Sequence, residues 1–349
     1  MRSLMKIFYS ASHQSHDPPF EILDGGERTA SFEVPLRVES VLASLRQTPW
    51  AEITQPDDYG LDPILDIHDA GYLDFLQTAF ELWTREEANF EHLALTPATF
   101  PPGGMRRIPK SILGRAGFYM MDLSAPIGAR TYKAALDSVN CALSGAKALV
   151  VGGEQSAFAL CRPPGHHAGK ANCGGYCYLN NAAIAANWLS HEGEVALLDI
   201  DYHAGNGTQE IFYDRSDVLT ISIHADPAYE YPYYAGYVDE TGSGDGLGYH
   251  ENHPLPFGTA DDAYLDTLCR ALETVREFSP RFLVLSAGMD ISKDDPLGKF
   301  KITGDGIRRV GNAISLEGYP TLIVMEGGYN LSGLGTNVVS LLENFITGS

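Results

Sequence analysis

Residues 195–207 begin as an apolar run and end in side chains that can do chemistry. Val195, Ala196, Leu197 and Leu198, with Ile200 after them, read as a strand buried on both faces. Asp199, Asp201 and His203 stand two residues apart, so an extended backbone would turn all three the same way. Gly205, Asn206 and Gly207 then turn the chain. Two carboxylates and an imidazole at the end of a buried strand are costly unless they are paired or hold a metal. Strand ends are also where open α/β sheets place their active sites. A second polar group, Ser286-Ala287-Gly288-Met289-Asp290, follows the apolar run 282–285. A third is Arg162-Pro163-Pro164-Gly165-His166-His167.

Asp201, His203 and Asp290 together supply two carboxylates and one imidazole nitrogen. Three protein ligands with an open position is the pattern of a catalytic zinc ion. A water activated by such an ion needs a base, and imidazole titrates in the right range. His166 and His167 follow a stiff proline turn that could aim them. Each ring needs a partner on its other nitrogen, for which Asp199 and Asn206 are the natural candidates. Tyr329, in Glu326-Gly327-Gly328-Tyr329, could present a phenol to an oxyanion and, with the metal, polarise a carbonyl. Taken singly, Asp-x-His is common by chance, His-His is usually a loop feature, and a tyrosine after two glycines usually packs over a turn. Two of the three groups end strand-like runs, which points to one shared site.

The elements that would carry these residues alternate. Strands are expected at 6–10, 148–152, 157–161, 195–200, 218–224, 282–285 and 321–325. Helices are expected at 38–46, 70–83, 132–147, 180–189, 262–278, 306–317 and 336–345. In 70–83, Tyr72, Phe75, Leu76, Phe80 and Trp83 share one face; in 132–147, Ala135, Val139, Ala142, Leu143 and Ala146 do. Such alternation predicts a parallel sheet covered by helices on both faces. Residues 86–129 lack clear periodicity, which suggests a functional or interface loop. The glycine-rich tract 242–248 fits neither a dinucleotide nor a phosphate loop and reads as a tight or mobile turn.

The 349 residues show no linker and no repeat, so one α/β domain spanning 1–349 is expected. A net charge of −21 argues against nucleic acid and favours a cationic small molecule. Five cysteines, an odd number, suggest reduced thiols and a cytoplasmic setting. No apolar run approaches the ~18 residues of a membrane span, and nothing resembles a signal peptide.

The motifs together resemble the zinc-dependent deacetylases of the arginase/deacetylase fold, and within them the acetylpolyamine amidohydrolases, bacterial relatives of class II histone deacetylases. The resemblance covers nearly the whole chain. It runs through residues 67–73, 162–169, 174–181, 199–203, 205–209 and 326–329, in that order. It implies a central, mostly parallel eight-stranded sheet with helices on both faces. It assigns Asp201, His203 and Asp290 to one catalytic zinc. His167 becomes general base and then acid, His166 its electrostatic partner oriented by Asp199, and Tyr329 the carbonyl-polarising residue. Asn206 stands where some relatives carry an Asp beside the second histidine. Gly175, Tyr176 and Tyr231 would wall a narrow tunnel, with Glu21 at its mouth. One structural potassium would use Asp199, Ser222 and the carbonyls of Asp201, His203 and Ile223. A second would lie near Phe212, Arg215, Val218 and Tyr249, Arg215 being at a variable position.

The resemblance also implies a cationic acetylated polyamine as substrate and a homodimer in which an insertion loop, 86–129, narrows the entrance. Two departures stand out. Ala204 replaces a second histidine found in many deacetylases, and Leu113 stands where a polyamine-specific relative has a carboxylate. A protein acetyl-lysine deacetylase would share all of this chemistry and differ in tunnel access; ferrous iron would fit the same ligands. Gly205 removes a bridging ligand needed by two-manganese ureohydrolases. A silent binding module would not need all six of Asp201, His203, Asp290, His166, His167 and Tyr329.

Overall fold

The computed structural model describes residues 4–23, 26–86, 94–103 and 107–346. In chain order the elements are β1 (Met5–Phe8), β2 (Glu21–Ile22), β3 (Arg28–Thr29), α1 (Leu36–Leu45), β4 (Ala51–Thr54), α2 (Asp62–Leu65), α3 (Ala70–Glu86), α4 (Ile112–Tyr119) and α5 (Thr131–Val150). Then come β5 (Ser156–Ala159), α6 (Asn181–Ser190), β6 (Val195–Asp199), α7 (Asn206–Phe212), β7 (Val218–Ala225), β8 (His250–Leu255), α8 (Asp261–Phe278), β9 (Phe282–Ala287), α9 (Gly304–Ser315), β10 (Thr321–Met325) and α10 (Leu334–Leu342).

Eight strands form one sheet in the order β4-β1-β5-β10-β9-β6-β7-β8, and every pairing in it is parallel. Alternate residues of the central strands feed two cores. Leu197, Val284 and Val324 face the layer built on α3 to α6, whereas Leu198, Leu285 and Ile323 face the layer of α1, α8, α9 and α10. Burial on both faces is why these strands are apolar throughout.

The chain walks from β6 through β7 to the edge at β8, then returns to the other side of β6 as β9 and β10. The sheet therefore has a topological switch point between β6 and β9, where a crevice opens at the strand ends. All three polar groups found in the sequence lie near that crevice.

Several expectations need correction. Residues 148–150 do not start a strand; they are the last turn of α5, because Ala148 and Leu149 continue its buried face. Edge strands β4 and β8 were not foreseen: both are only partly buried, and β8 carries Pro254, which an edge tolerates. Residues 86–129 are not elementless. They hold α4, capped by the Ser111 side chain on the Gly114 amide; 87–93 and 104–106 lie outside the described residues. Gly114 and Gly117 had masked that helix. Gly117 is required by packing, since a Cβ there would lie 2.0 Å from the Thr99 carbonyl oxygen. The tract 242–248 forms a tight turn around a short 3-10 segment, Gly244–Gly246.

Candidate active site

β6 stops at Asp199, so the convergence of Asp199, Asp201 and His203 is not that of an extended strand. Two successive side-chain turns achieve it instead. Asp199 Oδ1 accepts from the Asp201 amide (2.9 Å), and Asp201 Oδ1 accepts from the His203 amide (2.9 Å). Asp290 arrives just beyond β9 and accepts from the Tyr202 amide through Oδ1 (3.0 Å). His203 Nδ1 then lies 3.4 Å from Asp201 Oδ1 and 3.2 Å from Asp290 Oδ2. Ligand atoms of Asp201, His203 and Asp290 all fall within 4.8 Å of one another.

Both carboxylates are fully buried, and Asp290 Oδ2 has no hydrogen-bond partner. Burial opposes charge on Asp201, but His166 and His203 outweigh it and hold that carboxyl below its usual range. Asp290 is pushed up to about 7, by burial and then by the charge of Asp201. Two buried carboxylates that share one imidazole, one of them with an unpartnered oxygen, are costly unless a cation joins them. A Cβ on Gly327 would sit 2.4 Å from Asp290 Oδ2, so the cradle admits only glycine. This donor set fits a divalent ion such as zinc. Among the described residues a second group, His166, Cys177 and Glu326, also converges. Its members are committed elsewhere: burial raises the Cys177 thiol well above its ordinary value, and Glu326 binds backbone amides.

The histidine pair hangs from the turn after β5. Amides of Gly165 and His166 donate to Glu326 Oε2 (2.7 and 3.2 Å), fixing the turn to the end of β10. His166 Nδ1 meets Asp199 Oδ2 at 3.0 Å, and His167 Nδ1 meets Asn206 Oδ1 at 2.7 Å. With that amide oxygen as acceptor, His167 carries its proton on Nδ1 and a lone pair on Nε2. Burial disfavours charge on His166, yet Asp201 and Asp199 raise it to about 10. His167 goes the other way, well below 6.5, through burial and then the charges of His166 and His203. The surroundings thus favour the charged form of one ring and the neutral form of its neighbour.

One tyrosine ring touches the pair, and two more pack on each other nearby in the site. Tyr231 stands edge-on to His167 (centroids 4.9 Å apart) and donates its hydroxyl to Asp122 Oδ2 (2.7 Å). Asp122 Oδ2 also accepts from the Gly175 amide (2.8 Å). Gly175 has φ +52, and a Cβ on it would lie 2.3 Å from His167 Cδ2, so only glycine lets the backbone pass. Tyr176 packs edge-on to Tyr329 (5.5 Å). Burial, Tyr176 and the charge of nearby Glu21 tie these groups together: Glu21 is fully buried rather than exposed at a mouth, accepts from the Phe32 amide (3.1 Å), and has Oε2 unpartnered. Burial pushes its carboxyl up to about 7, against the pull of Tyr176. Burial likewise raises the Tyr329 phenol well above 10, which keeps it a donor.

The expected potassium residues fall in two places. Asp199 pairs with Ser222 across β6 and β7, while Ser222 Oγ meets His224 Nδ1 at 2.7 Å. At the second, the Phe212 carbonyl accepts from the Arg215 amide, the Tyr249 carbonyl accepts from the Thr220 amide, and Val218 opens β7. The Arg215 guanidinium is bound to Asp217, Asn187 and Ser190. Leu113 packs against the core from α4. Ala204 faces Gly236, where a Cβ would approach to 2.7 Å.

Sequence reasoning missed the groups that hold this site from behind. Glu326 was singled out only as part of a turn. Arg37, buried beneath Tyr329, donates to the carbonyls of Gly328 and Glu326 (both 2.6 Å) and to Glu33 Oε1 (2.8 Å). Asp122 and Asp295 lie in loops where their local bonds, to Ser124 and to the Leu297 and Gly298 amides, look like ordinary turns, while the partners that matter to the site, Tyr231 and Gly175 for one and Tyr329 for the other, are distant in sequence.

Residues 31–345 match the histone deacetylase domain family. The chain is 44% identical over 346 residues to acetylpolyamine amidohydrolase 1 of Pseudomonas aeruginosa, covering 98% of this chain and 99% of that protein. The acetylpolyamine amidohydrolase of Mycoplana ramosa is 40% identical, over 97% and 99% respectively. A crystal structure of acetylpolyamine aminohydrolase from Burkholderia pseudomallei matches with a TM-score of 0.92 at 40% identity, covering 98% of each chain. The chain is therefore a hydrolytic enzyme of the deacetylase class. It belongs to the histone deacetylase family, as its motifs had indicated, and its single α/β domain is the fold of those relatives. That family implies a metal, and the Asp201, His203 and Asp290 cluster is the donor set that fits one.

Proposed function

We propose that this protein is a zinc-dependent amidohydrolase that removes acetyl groups from N-acetylated polyamines of the acetylputrescine, acetylcadaverine and acetylspermidine class, releasing acetate and the free amine. The observation that carries this reading is Glu21: a buried carboxylate drawn to the Tyr176 hydroxyl, with Oε2 outside any regular hydrogen bond, beside the ring that flanks Tyr329. A cationic amine tail satisfies it where an uncharged chain does not. The net charge of −21 draws such a tail in, and the names of the relatives agree.

A zinc ion held by Asp201, His203 and Asp290 supplies Lewis acidity to the acetyl carbonyl and the attacking water. His167 Nε2 takes a proton from that water as its oxygen bonds to the carbonyl carbon. Asn206 keeps the base in the tautomer this needs. Tyr329 donates its hydroxyl to the carbonyl oxygen, where charge develops, and the cationic His166, oriented by Asp199, offsets that charge. When the C–N bond breaks, His167 returns the proton to the amine nitrogen. Gly175, Tyr176 and Tyr231 confine the alkyl chain. Structural potassium at Asp199, Asp201, His203, Ser222 and Ile223, and at Phe212, Arg215, Val218 and Tyr249, belongs to the same reading.

A homodimer through 86–129 is supported by Phe100 and Ile108, both exposed among its described residues. Five free cysteines suit a cytoplasmic setting, and no helix among the described residues is long and apolar enough to cross a membrane. The test is steady-state deacetylation of acetylputrescine, acetylcadaverine and acetylspermidine beside an acetyl-lysine peptide, with one zinc-loaded preparation. Higher kcat/KM for the small amines is expected. Preference for the peptide would overturn the substrate and leave the chemistry.

A further inference from the structure

The turn that carries Tyr329 is gripped from two sides by opposite charges. Arg37 takes its carbonyls, at Glu326 and Gly328. Asp295 takes its amides: Oδ2 accepts from the Tyr329 amide at 2.6 Å and from the Asn330 amide at 3.1 Å. The other oxygen, Oδ1, accepts from the Leu297 and Gly298 amides (3.0 and 3.4 Å). One buried carboxylate therefore binds four backbone donors drawn from two loops. One loop runs on from Asp290 to Gly298, and the other bears Tyr329. A second tie, the Met289 amide on the Gly327 carbonyl (3.0 Å), joins the same loops nearer the metal cluster.

We propose that Asp295 is a positioning residue for the reaction, setting the Tyr329 hydroxyl against the carbonyl by fixing the backbone of Tyr329 to the loop that delivers Asp290. The proposal rests on the role given to Tyr329 under the proposed function. Its physical basis is geometric. A carboxylate accepts along both oxygens at once, whereas an amide of the same size presents two N–H donors to the Tyr329 and Asn330 amides or to the Leu297 and Gly298 amides. Either way one loop is released. A shift of about 1 Å in a catalytic donor costs on the order of a hundredfold in rate. Because substrate contacts elsewhere are unchanged, the loss falls on kcat rather than on KM.

The experiment is a double-mutant cycle of Asp295→Asn with Tyr329→Phe, with kcat, KM, bound metal and thermal melting read on the same samples. It is run on acetylcadaverine and on an acetyl-lysine peptide. Asp295→Asn is expected to lower kcat tenfold to a hundredfold, change KM less than about threefold, and keep one metal per chain. In the Tyr329→Phe background the same change is expected to cost nothing further, since the hydroxyl it positions is gone. Losses that multiply instead, an unchanged kcat, or loss of metal would each overturn the proposal in favour of a general or metal-centred role. If Asp295→Asn does not fold, Asp295→Ser, which keeps an acceptor, takes its place; failure of both to fold also overturns it. A silent polyamine arm with the expected pattern on the peptide would sink the substrate reading and uphold Asp295. An active polyamine arm with multiplying losses would do the reverse.

Discussion

The rings of His166 and His167 lie 3.9 Å apart between centroids, yet they rest on partners of different charge, Asp199 under one and Asn206 under the other. Burial and the charges of His166 and His203 hold His167 well below 6.5, whereas Asp201 and then Asp199 overcome burial and raise His166 to about 10, and Asn206 leaves the His167 side of that contrast without an anion. Asn206→Asp should erase it. An anion 2.7 Å from His167 Nδ1 favours the imidazolium, so the neutral base is lost at a higher pH than before. The acid limb of the kcat/KM profile is expected to move up by about one pH unit or more. An unmoved limb would remove His167 from the role of base.

Tyr329→Phe deletes one donor and no packing volume. Turnover is expected to fall by roughly 10²–10³, with metal content unchanged by elemental analysis. Near-normal turnover would refute the polarising role of the phenol.

Metal binding should become more stabilising as pH rises. Without metal, the Asp290 carboxyl, raised from 3.8 to about 7, favours the folded state fully only below 3.8; that contribution is lost as pH climbs through about 7. A divalent ion favours the ionised form and cancels the loss. One equivalent of zinc should therefore raise the melting temperature more at pH 8 than at pH 6. Equal shifts at the two values would contradict the arrangement.

Glu21→Gln keeps shape and removes charge. KM for acetylspermidine is expected to rise about tenfold, the worth of a hydrogen bond to a charged group, while an uncharged N-alkylacetamide is unaffected. Equal effects on both substrates would show that Glu21 acts on the fold rather than on the tail.

Gly175→Ala tests the close pass beneath His167. The added methyl would meet Cδ2 at 2.3 Å, at a φ of +52. A stability loss of about 1–2 kcal/mol is expected from the backbone conformation, together with a fall in kcat as the base is displaced. A variant with wild-type kcat would place His167 outside the reaction.

What was legible in the sequence followed local physics. Val195 to Leu198 announce β6 because both sides of that strand are buried, and the face of α8 repeats at 3.6. β8 was illegible because His250, Glu251 and Asn252 belong to an edge, with His250 and Asn252 bound to Gln209 and Glu251 paired with His253. Residues 148–150 misled because a short apolar run suits a helix end as well as a strand. Asp201, His203 and Asp290 converge at strand ends as expected, but through side-chain turns past β6 rather than through the spacing of an extended strand. Asp295 and Glu326 stayed hidden because their function is to bind backbone amides, and an amide leaves no trace in side-chain identity.

The switch point between β6 and β9 also governs when the site can exist during synthesis. Asp201 and His203 emerge with the first side of the crevice, but Asp290 and Tyr329 follow only after the chain has gone out to β8 and come back. A nascent chain up to α8 holds the histidine pair, Asp201 and His203, without Asp290 and without Tyr329. The Asp201, His203 and Asp290 cluster therefore closes only when most of the protein has been made, and its closure requires that the last strands have docked.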